Sequence, residues 1–162
     1  MKKAFTLIEI IIVTALLGIM SVIGIVSITN YQKDTEFGTT AQGIVSQLRY
    51  AQGRSTSGEG TTTWGVHFDL TDPDNQFYAI FQGANYAAGT DIVKTYLSGS
   101  ARLYNVTLNG AGNDVLFARL TGITSQYGTG TSSAAVCVVS TSALTTCKKT
   151  ITITANGNIS WQ

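Results

Sequence analysis

The side chains best suited to acid–base chemistry in this sequence are His67 and Asp69. His67 is the only histidine of the 162 residues, and a strand would place it on the same face as the carboxylate two positions later. A hydrolase of the Ser-His-Asp type needs such a pair together with an activated serine. The sequence contains no G-x-S-x-G motif to position that serine. We therefore expect His67 to be a histidine on the surface of a strand, and we predict no catalytic residues.

Four oxygen-bearing side chains near the turn after this strand raise the question of a Ca²⁺ site. An EF-hand loop counted from Asp72 would need Gly at its sixth position and Glu at its twelfth. Those positions are Phe77 and Gly83, so the template fails, and turn formation explains the residues without a metal. We predict no metal and no other cofactor, and we keep Ca²⁺ as a secondary hypothesis. The four residues are Asp69, Asp72, Asp74 and Asn75.

Charge and cysteine content exclude two classes of protein. Ten basic and nine acidic residues give a net charge of +1, which excludes nucleic-acid binding through overall positive charge. One histidine and two cysteines, without CxxC or HExxH spacing, leave little material for a zinc site. Because 44% of the residues are hydrophobic, the chain can bury a core. Its length fits one domain with an appendage.

The appendage is an apolar run at the N-terminus. Residues 5–28 contain a single charge, Glu9, and as a helix they would be about 36 Å long, enough to cross a hydrocarbon core of about 30 Å. The run is too long for a cleaved signal peptide and too uniformly apolar for a helix that packs on one side. Because Lys2 and Lys3 precede it, we predict a single-pass transmembrane helix with a cytoplasmic N-terminus and the remainder outside. A plain anchor leaves the carboxylate of Glu9 unexplained.

The apolar run begins with the hexapeptide Ala4-Phe5-Thr6-Leu7-Ile8-Glu9. This hexapeptide resembles the cleavage and methylation motif of type IV pilins and type II secretion pseudopilins. The resemblance implies that a prepilin peptidase and methyltransferase removes a leader, residues 1–4, by cutting between Ala4 and Phe5, and methylates the new N-terminus, Phe5. It also implies a salt bridge between Glu9 and the N-terminal ammonium of a neighbouring subunit. The other implied partners are the bacterial inner membrane, further pilin or pseudopilin subunits, and a secretion or pilus platform.

An amphipathic helix is expected to continue the run over residues 29–54. Its apolar positions recur at spacings of three and four, and a Ser- and Gly-rich segment, residues 55–60, ends it. The predicted organisation is a leader (1–4), a transmembrane and assembly helix (5–28), the amphipathic helix (29–54) and a β region (55–162). The predicted core stripe is Phe37, Ala41, Ile44, Leu48 and Ala51, and the predicted solvent-facing residues are Lys33, Asp34, Glu36, Gln47 and Arg54.

The β region is expected to form an antiparallel sheet, because apolar and polar residues alternate from Trp64 to Leu70. A turn at residues 72–75 leads to a returning strand over residues 76–81, and Asn156-Gly157 is typical of a two-residue hairpin turn. The predicted fold class is therefore α+β: a long N-terminal helix, transmembrane and then amphipathic, packed against an antiparallel β-sheet, as in pilins. Further strands are predicted at residues 92–97, 103–108, 115–120, 135–140, 150–155 and 159–161.

Three segments are similar to the GspH/FimT-type minor pseudopilins: Leu48-Arg49-Tyr50-Ala51-Gln52, Trp64-Gly65-Val66 and Ile151-Thr152-Ile153-Thr154-Ala155-Asn156-Gly157. The resemblance implies a non-enzymatic structural subunit of a type II secretion pseudopilus, with no small-molecule substrate. The alternative is a minor or major subunit of a type IV pilus that serves adhesion, motility or DNA uptake. A membrane-anchored exported enzyme is the contrasting class, and the missing nucleophile argues against it.

Cys137 and Cys147 lie ten residues apart, on either side of a predicted turn at residues 140–145. If this region is exported, the oxidising compartment favours a disulfide across two adjacent strands, worth roughly 2–3 kcal/mol. Two reduced and buried cysteines are the alternative. The predicted loop also resembles the C-terminal disulfide loop of type IV pilins.

A small basic patch is the last candidate site, and DNA would be its partner only under the pilus alternative. Neighbouring lysines on a strand point to opposite faces, so that only one of them can serve a given surface. Solvent exposure or protection of a sheet edge is the favoured role. The residues are Lys148, Lys149, Arg102 and Arg119.

Overall fold

The structure, a computed structural model, describes residues 5–97, 99–107, 113–124, 133–140 and 147–162. The described side chains are those of these residues except positions 22–30, 105, 107, 133–137, 139 and 140. The predicted leader, and with it Ala4 of the predicted cleavage site, lies outside the described residues.

The described elements are one helix and eight strands, so the predicted α+β class with antiparallel strands is confirmed. Except for two connections discussed below, the strand boundaries agree with the predicted ones within two residues. The elements are α1 (Leu7–Thr56), β1 (Trp64–Asp69), β2 (Phe77–Gln82), β3 (Thr90–Tyr96), β4 (Ala101–Thr107), β5 (Asp114–Phe117), β6 (Ser133–Ser140), β7 (Lys149–Thr154) and β8 (Ile159–Trp161).

Helix α1 has 50 residues, and its first backbone hydrogen bonds are accepted by the residue that precedes it. The carbonyl of Thr6 accepts the N–H groups of Glu9 at 3.1 Å and of Ile10 at 3.4 Å. Glu9 lies in the first turn and Arg54 in the last, an arrangement in which both charges are favourable to the helix dipole.

The chain divides into two compact units, Met1–Thr35 and Glu36–Gln162. We call the second unit the head. Among the residues that the structure describes, no helix is both long and apolar enough to cross a membrane. The predicted transmembrane segment, residues 5–28, includes residues 22–28, whose side chains lie outside the described ones.

The strands of the head form two four-stranded sheets, where a single sheet was expected. Sheet A has the order β3-β2-β1-β5, and sheet B has the order β4-β6-β7-β8. All six strand pairs are antiparallel. The chain changes sheet three times, from β3 to β4, from β4 to β5 and from β5 to β6, because β4 pairs with β6 in sheet B and β5 pairs with β1 in sheet A.

The core of the head lies between α1 and the inner faces of the two sheets. The predicted apolar stripe of α1 is confirmed, because none of its five residues is more than 2% exposed. These residues pack with alternate strand residues, as the period of two in a half-buried strand requires. The strand side chains of this core that are at most 1% exposed are Val66, Phe68, Ile80, Ala101, Val115, Phe117, Val138, Ile151 and Ile153.

Two predicted connections were wrong. Strand β5 ends at Phe117 instead of reaching residue 120, because the chain turns there and the N–H of Leu120 donates to the carbonyl of Ser55 at 2.9 Å. The β7–β8 turn has three residues, 155–157, closed by a bond of 2.9 Å from Thr154 N–H to the Asn158 carbonyl. Gly157 has a φ of 79°, the left-handed position that ends a three-residue hairpin loop.

Candidate functional site

A continuous apolar surface covers the described N-terminal part of α1. We call it the apolar N-terminal surface. It extends around the helix, because four consecutive residues, Ile10 to Val13, are each between 48% and 56% exposed. Exposed apolar area of this kind marks a site of contact with protein or membrane. Its members are Phe5, Leu7, Ile8, Ile10, Ile11, Ile12, Val13, Leu16, Leu17, Ile19 and Met20.

Glu9 lies within the apolar N-terminal surface, at the first turn of α1. The sequence Thr6-Leu7-Ile8-Glu9 fits the capping-box pattern, in which the glutamate side chain can return to the backbone at the start of the helix. This local role needs only a hydrogen-bond acceptor. The predicted pairing with an ammonium group needs a negative charge, so the two roles are separable by substitution.

Glu36 is the first residue of the head, and it was wrongly predicted to face solvent. Its carboxylate accepts hydrogen bonds from the N–H of Ser100 at 2.6 Å, the hydroxyl of Ser100 at 2.8 Å and the N–H of Ala101 at 3.3 Å. Gly99 has a φ of 73°, and a Cβ at that position would overlap the Glu36 carboxylate. Glu36 therefore holds α1 to the start of β4.

The contacts of Glu36 change its acidity. Burial opposes ionisation, but the hydrogen bonds from Ser100 and Ala101 and the charge of Arg102 outweigh it, so the pKa of Glu36 lies below its ordinary value. Because the folded-state pKa is depressed, this carboxylate stabilises the head above the unfolded-state pKa of about 4.3. That stabilisation is lost as the pH falls through the folded-state pKa.

We expect the Glu36→Gln variant to lose less stability on acidification than the wild type. Thermal unfolding followed by circular dichroism between about pH 6 and about pH 3 measures the difference. Asp74→Asn, which removes an exposed carboxylate from the turn before β2, should follow the wild-type profile. Equal loss of melting temperature in wild type and Glu36→Gln would contradict this account of Glu36.

His67 has a different partner and a different environment from those predicted. Its Nδ1 lies 2.6 Å from Oδ1 of Asp114, and the two side chains are 17% and 11% exposed. The His67 ring stacks on Tyr86, with centroids 4.0 Å apart and an interplanar angle of 2°. The N–H of Tyr86 donates to Oδ2 of Asp114 at 2.8 Å. Asp114 therefore connects β1 to segment 83–89, and the predicted surface histidine is largely covered.

Tyr86 completes this cluster as a neutral hydrogen-bond donor. Burial and the nearby Asp91 carboxylate raise the pKa of Tyr86 to about 12, and its hydroxyl donates to Oδ2 of Asp91 at 3.1 Å. The cluster thus has two carboxylates, an imidazole and a phenol, with no activated serine or cysteine among these contacts. Its arrangement supports packing of segment 83–89 on the outer face of sheet A.

Replacing Asp114 by Ala is expected to release segment 83–89 from the sheet. The change leaves the N–H of Tyr86 and Nδ1 of His67 without their acceptor, and an unpaired buried group costs about 1–3 kcal/mol. Amide hydrogen exchange at Tyr86 should therefore accelerate by about tenfold or more. Asp74→Ala, at an exposed turn, serves as the control. An unchanged exchange rate at Tyr86 in Asp114→Ala would show that the carboxylate does not hold the segment.

Of the four residues of the secondary Ca²⁺ hypothesis, Asp69 and Asp72 accept hydrogen bonds within the chain through their carboxylate oxygens. Asp72 Oδ1 accepts the N–H of Asp74 at 3.0 Å, and Asp72 Oδ2 accepts the amide of Asn75 at 2.7 Å. Hydrogen bonds from Asn75 and Asp74 lower the pKa of Asp72, and those from Thr71 lower the pKa of Asp69. Within the described ranges, no group of three or more His, Cys, Asp or Glu side chains could hold a metal ion.

The cysteines lie at adjacent strands of sheet B. Cys137 is in β6 and pairs in register with Thr150 of β7, and Cys147 lies two residues before β7. Cys147 is disulfide-bonded, and Cys137 is the only other cysteine of the sequence. The side chain of Cys137 and residues 141–145 of the predicted turn lie outside the described ones.

The basic residues make separate contacts. Arg119 donates to the carbonyl of Gly58 at 3.0 Å, and Arg102 donates to the carbonyl of Ala101 at 2.8 Å. Nζ of Lys149 lies 5.2 Å from the centroid of the Trp161 ring, while Lys148 is exposed. Arg119, Arg102 and Lys149 are thus each joined to a different part of the head.

The residues that sequence reasoning missed are Asp114 and Gln76. Asp114 meets His67 only through the β1–β5 register, across 47 positions of sequence, and no local pattern reports that register. Gln76 is 6% exposed, and its amide connects to the backbone of Leu103 in β4. A lone polar residue next to a run of apolar strand residues is the signal that could have indicated its burial.

Among the described residues, the apolar N-terminal surface is the feature that most needs a partner, because the polar clusters of the head find theirs within the fold. Its size and exposure point to contacts with apolar groups outside the chain. Comparison of the chain with protein-family models, with curated proteins and with solved structures found no match.

Proposed function

We propose that this protein is a structural subunit of a type II secretion pseudopilus, a minor pseudopilin that assembles through its N-terminal helix. The observation that carries the proposal is the apolar N-terminal surface, eleven large apolar side chains each at least 48% exposed. Burial of apolar surface is favourable by about 25 cal/mol per Å². Lipid around a single subunit and the helices of neighbouring subunits in a filament both satisfy that surface.

Glu9 determines the register of the helix relative to the neighbouring helices of the filament. In a bundle of such helices the surroundings of Glu9 have low polarity, and an unpaired carboxylate is costly there. The ammonium of Phe5 in a neighbouring subunit, freed by removal of residues 1–4, supplies the opposite charge. The pair disfavours assembly in registers that leave either charge alone.

Before assembly, the subunit resides in the bacterial inner membrane. Lys2 and Lys3 stay on the cytoplasmic side, and the head lies outside. A prepilin peptidase and methyltransferase acts on the Ala4–Phe5 bond. After processing, the helix passes from lipid to the other pseudopilin subunits at the secretion platform.

Mass spectrometry of the protein extracted from membranes tests this proposal. The expected product begins at Phe5 and carries one methyl group on its amine. Cells without the prepilin peptidase should retain the full chain beginning at Met1, as the matched control. A product from wild-type cells that keeps Met1, or one that starts at Phe5 but never copurifies with other pilin-like subunits, would refute the assignment.

Deletion of the gene in its host separates the secretion system from the pilus. We expect loss of exported proteins from the medium while surface pili remain. Reintroduction of the wild-type gene should restore secretion, and a variant lacking the head should not. Loss of pili with normal secretion would replace this proposal by the type IV pilus alternative.

A further inference from the structure

Among the described strands, β3 is an exposed edge of sheet A. It is the first strand in the order β3-β2-β1-β5, and six of its seven residues are exposed. Two apolar residues at its centre, Ile92 and Val93, are 43% and 41% exposed. An edge with exposed apolar residues is a template for pairing with another strand.

The backbone of β3 determines which residues face an incoming strand. The N–H of Leu97 donates to the carbonyl of Gln76 at 2.9 Å. In an antiparallel pair, the backbone N–H and C=O groups of successive residues point alternately towards the neighbouring strand and away from it. The backbone groups of Thr95 and Val93 therefore point towards β2, and those of Lys94 point towards the free edge. The register shifts at Ile80/Phe81, where Ile92 is the extra residue.

This bulge brings a second charged residue to the outer edge. Phe81 is opposite Asp91, and Gln82 is opposite Thr90. The extra residue reverses the alternation of backbone groups along β3. The backbone N–H and C=O of Asp91 therefore point away from β2, as those of Lys94 do. Along the free edge, Asp91 therefore precedes the apolar pair Ile92 and Val93, and Lys94 follows it.

The sequence of this edge is self-complementary. It reads Thr90-Asp91-Ile92-Val93-Lys94-Thr95, so a reversed copy places threonine opposite threonine, aspartate opposite lysine and isoleucine opposite valine. We propose that β3 pairs antiparallel with β3 of a second copy of this chain, about a two-fold axis between Ile92 and Val93. The interface is isologous, so each favourable cross-strand pair occurs twice.

The charges select the partner and the direction of pairing. A lysine on an edge strand normally discourages pairing, but here Lys94 meets Asp91 of the second copy. A parallel arrangement in the same register would place each charge against its own kind. Both side chains also lie on the outer face of sheet A, where Asp91 accepts the hydroxyl of Tyr86 at 3.1 Å and Nζ of Lys94 is 3.6 Å from the Phe77 ring centroid.

The paired strands are short, which sets the strength of the dimer. Six residues per strand bury less area than the roughly 1,200 Å² of a stable interface, so we expect a dissociation constant of about 0.1–1 mM. The inference concerns the head and does not depend on the proposed filament function. A head that pairs in this way would do so whichever system the subunit serves.

Charge reversal tests the pairing in the full-length protein. Sedimentation equilibrium in density-matched detergent micelles should show weak self-association of the wild type. Lys94→Glu alone and Asp91→Lys alone place like charges opposite each other, and each should weaken association at least fivefold. A mixture of these two variants restores both opposite-charge pairs, and we expect it to associate at least as tightly as the wild type. Lys33→Glu, on the other unit, is the matched charge control.

Cysteine cross-linking tests the register. A mixture of the Thr90→Cys and Thr95→Cys proteins should form an intermolecular disulfide, because these positions are opposite in the proposed pair and directly opposed Cα atoms lie about 4.5–5.5 Å apart. Thr90→Cys alone should not cross-link, since its own counterpart lies about 17 Å away along the strand. Near-UV circular dichroism verifies that each variant is folded. Equal association of Lys94→Glu and wild type, no gain on mixing, or cross-linking of Thr90→Cys alone would overturn the proposal.

Discussion

Replacing Glu9 by Ala is expected to abolish assembly of the subunit with its neighbours. Removal of one partner of a buried ion pair costs about 3–5 kcal/mol, because the other charge is left unpaired in surroundings of low polarity. At about 1.4 kcal/mol per factor of ten, the association constant should fall by at least a hundredfold. Copurification of wild-type and variant subunits with the other pilin-like subunits, at equal expression, measures the loss.

Two further variants separate the charge of Glu9 from its place at the helix start. Glu9→Gln can still act as the third residue of a capping box but has no charge, so we expect it to fail as Glu9→Ala does. Asp34→Ala removes an exposed carboxylate from the same helix and should assemble normally. Normal assembly of Glu9→Gln would assign Glu9 to helix capping and contradict the ion pair. The thermal unfolding of the head should be unchanged in all three variants.

Replacing Gln76 by Leu is expected to be among the most destabilising single changes in the head. Gln76 Nε2 donates to the carbonyl of Leu103 at 3.1 Å, and Oε1 accepts the N–H of Leu103 at 2.7 Å. Leucine satisfies neither backbone group, and each unpaired buried group costs about 1–3 kcal/mol. The free energy of unfolding should therefore decrease by about 2–6 kcal/mol, a large part of the stability of a typical domain.

Denaturant unfolding of the detergent-solubilised protein, followed by near-UV circular dichroism, measures this change. Gln82→Leu, at the other end of β2 and partly exposed, is the matched control and should cost far less. Gln76→Glu keeps an acceptor for the Leu103 N–H but places a buried carboxylate oxygen against the Leu103 carbonyl, so we expect it to lose at least as much stability as Gln76→Leu at neutral pH. Equal stability of Gln76→Leu and wild type would show that the contact between the two sheets contributes nothing.

The elements with a strong local period could be predicted. The stripe from Phe37 to Ala51 repeats at three and four residues, and all five of its members are buried against the sheets. The alternation from Trp64 to Phe68 likewise predicted which face of β1 enters the core. In both cases one element determines its own buried face, because helix and strand periods are properties of the backbone.

The polar contacts between distant elements could not be predicted. Glu36 fits a solvent-facing position on a helical wheel, yet it accepts hydrogen bonds from Ser100 and Ala101 of another element. Similarly, Asp114 meets His67 because β5 pairs with β1, whereas local spacing pointed to Asp69. The pairing of strands depends on the packing of the whole core, which no short pattern contains.

By itself, the sequence determined the helical period, the alternation of the strands, and the apolar run with one acidic residue on which the proposed function depends. Only the tertiary structure decided the division into two sheets, the carboxylate contacts of Glu36 and Asp114, and the exposure of β3 as an edge. Local patterns follow from backbone geometry and solvation of single elements. Which polar groups meet, and which edge stays unpaired, depends on how residues far apart in sequence pack together.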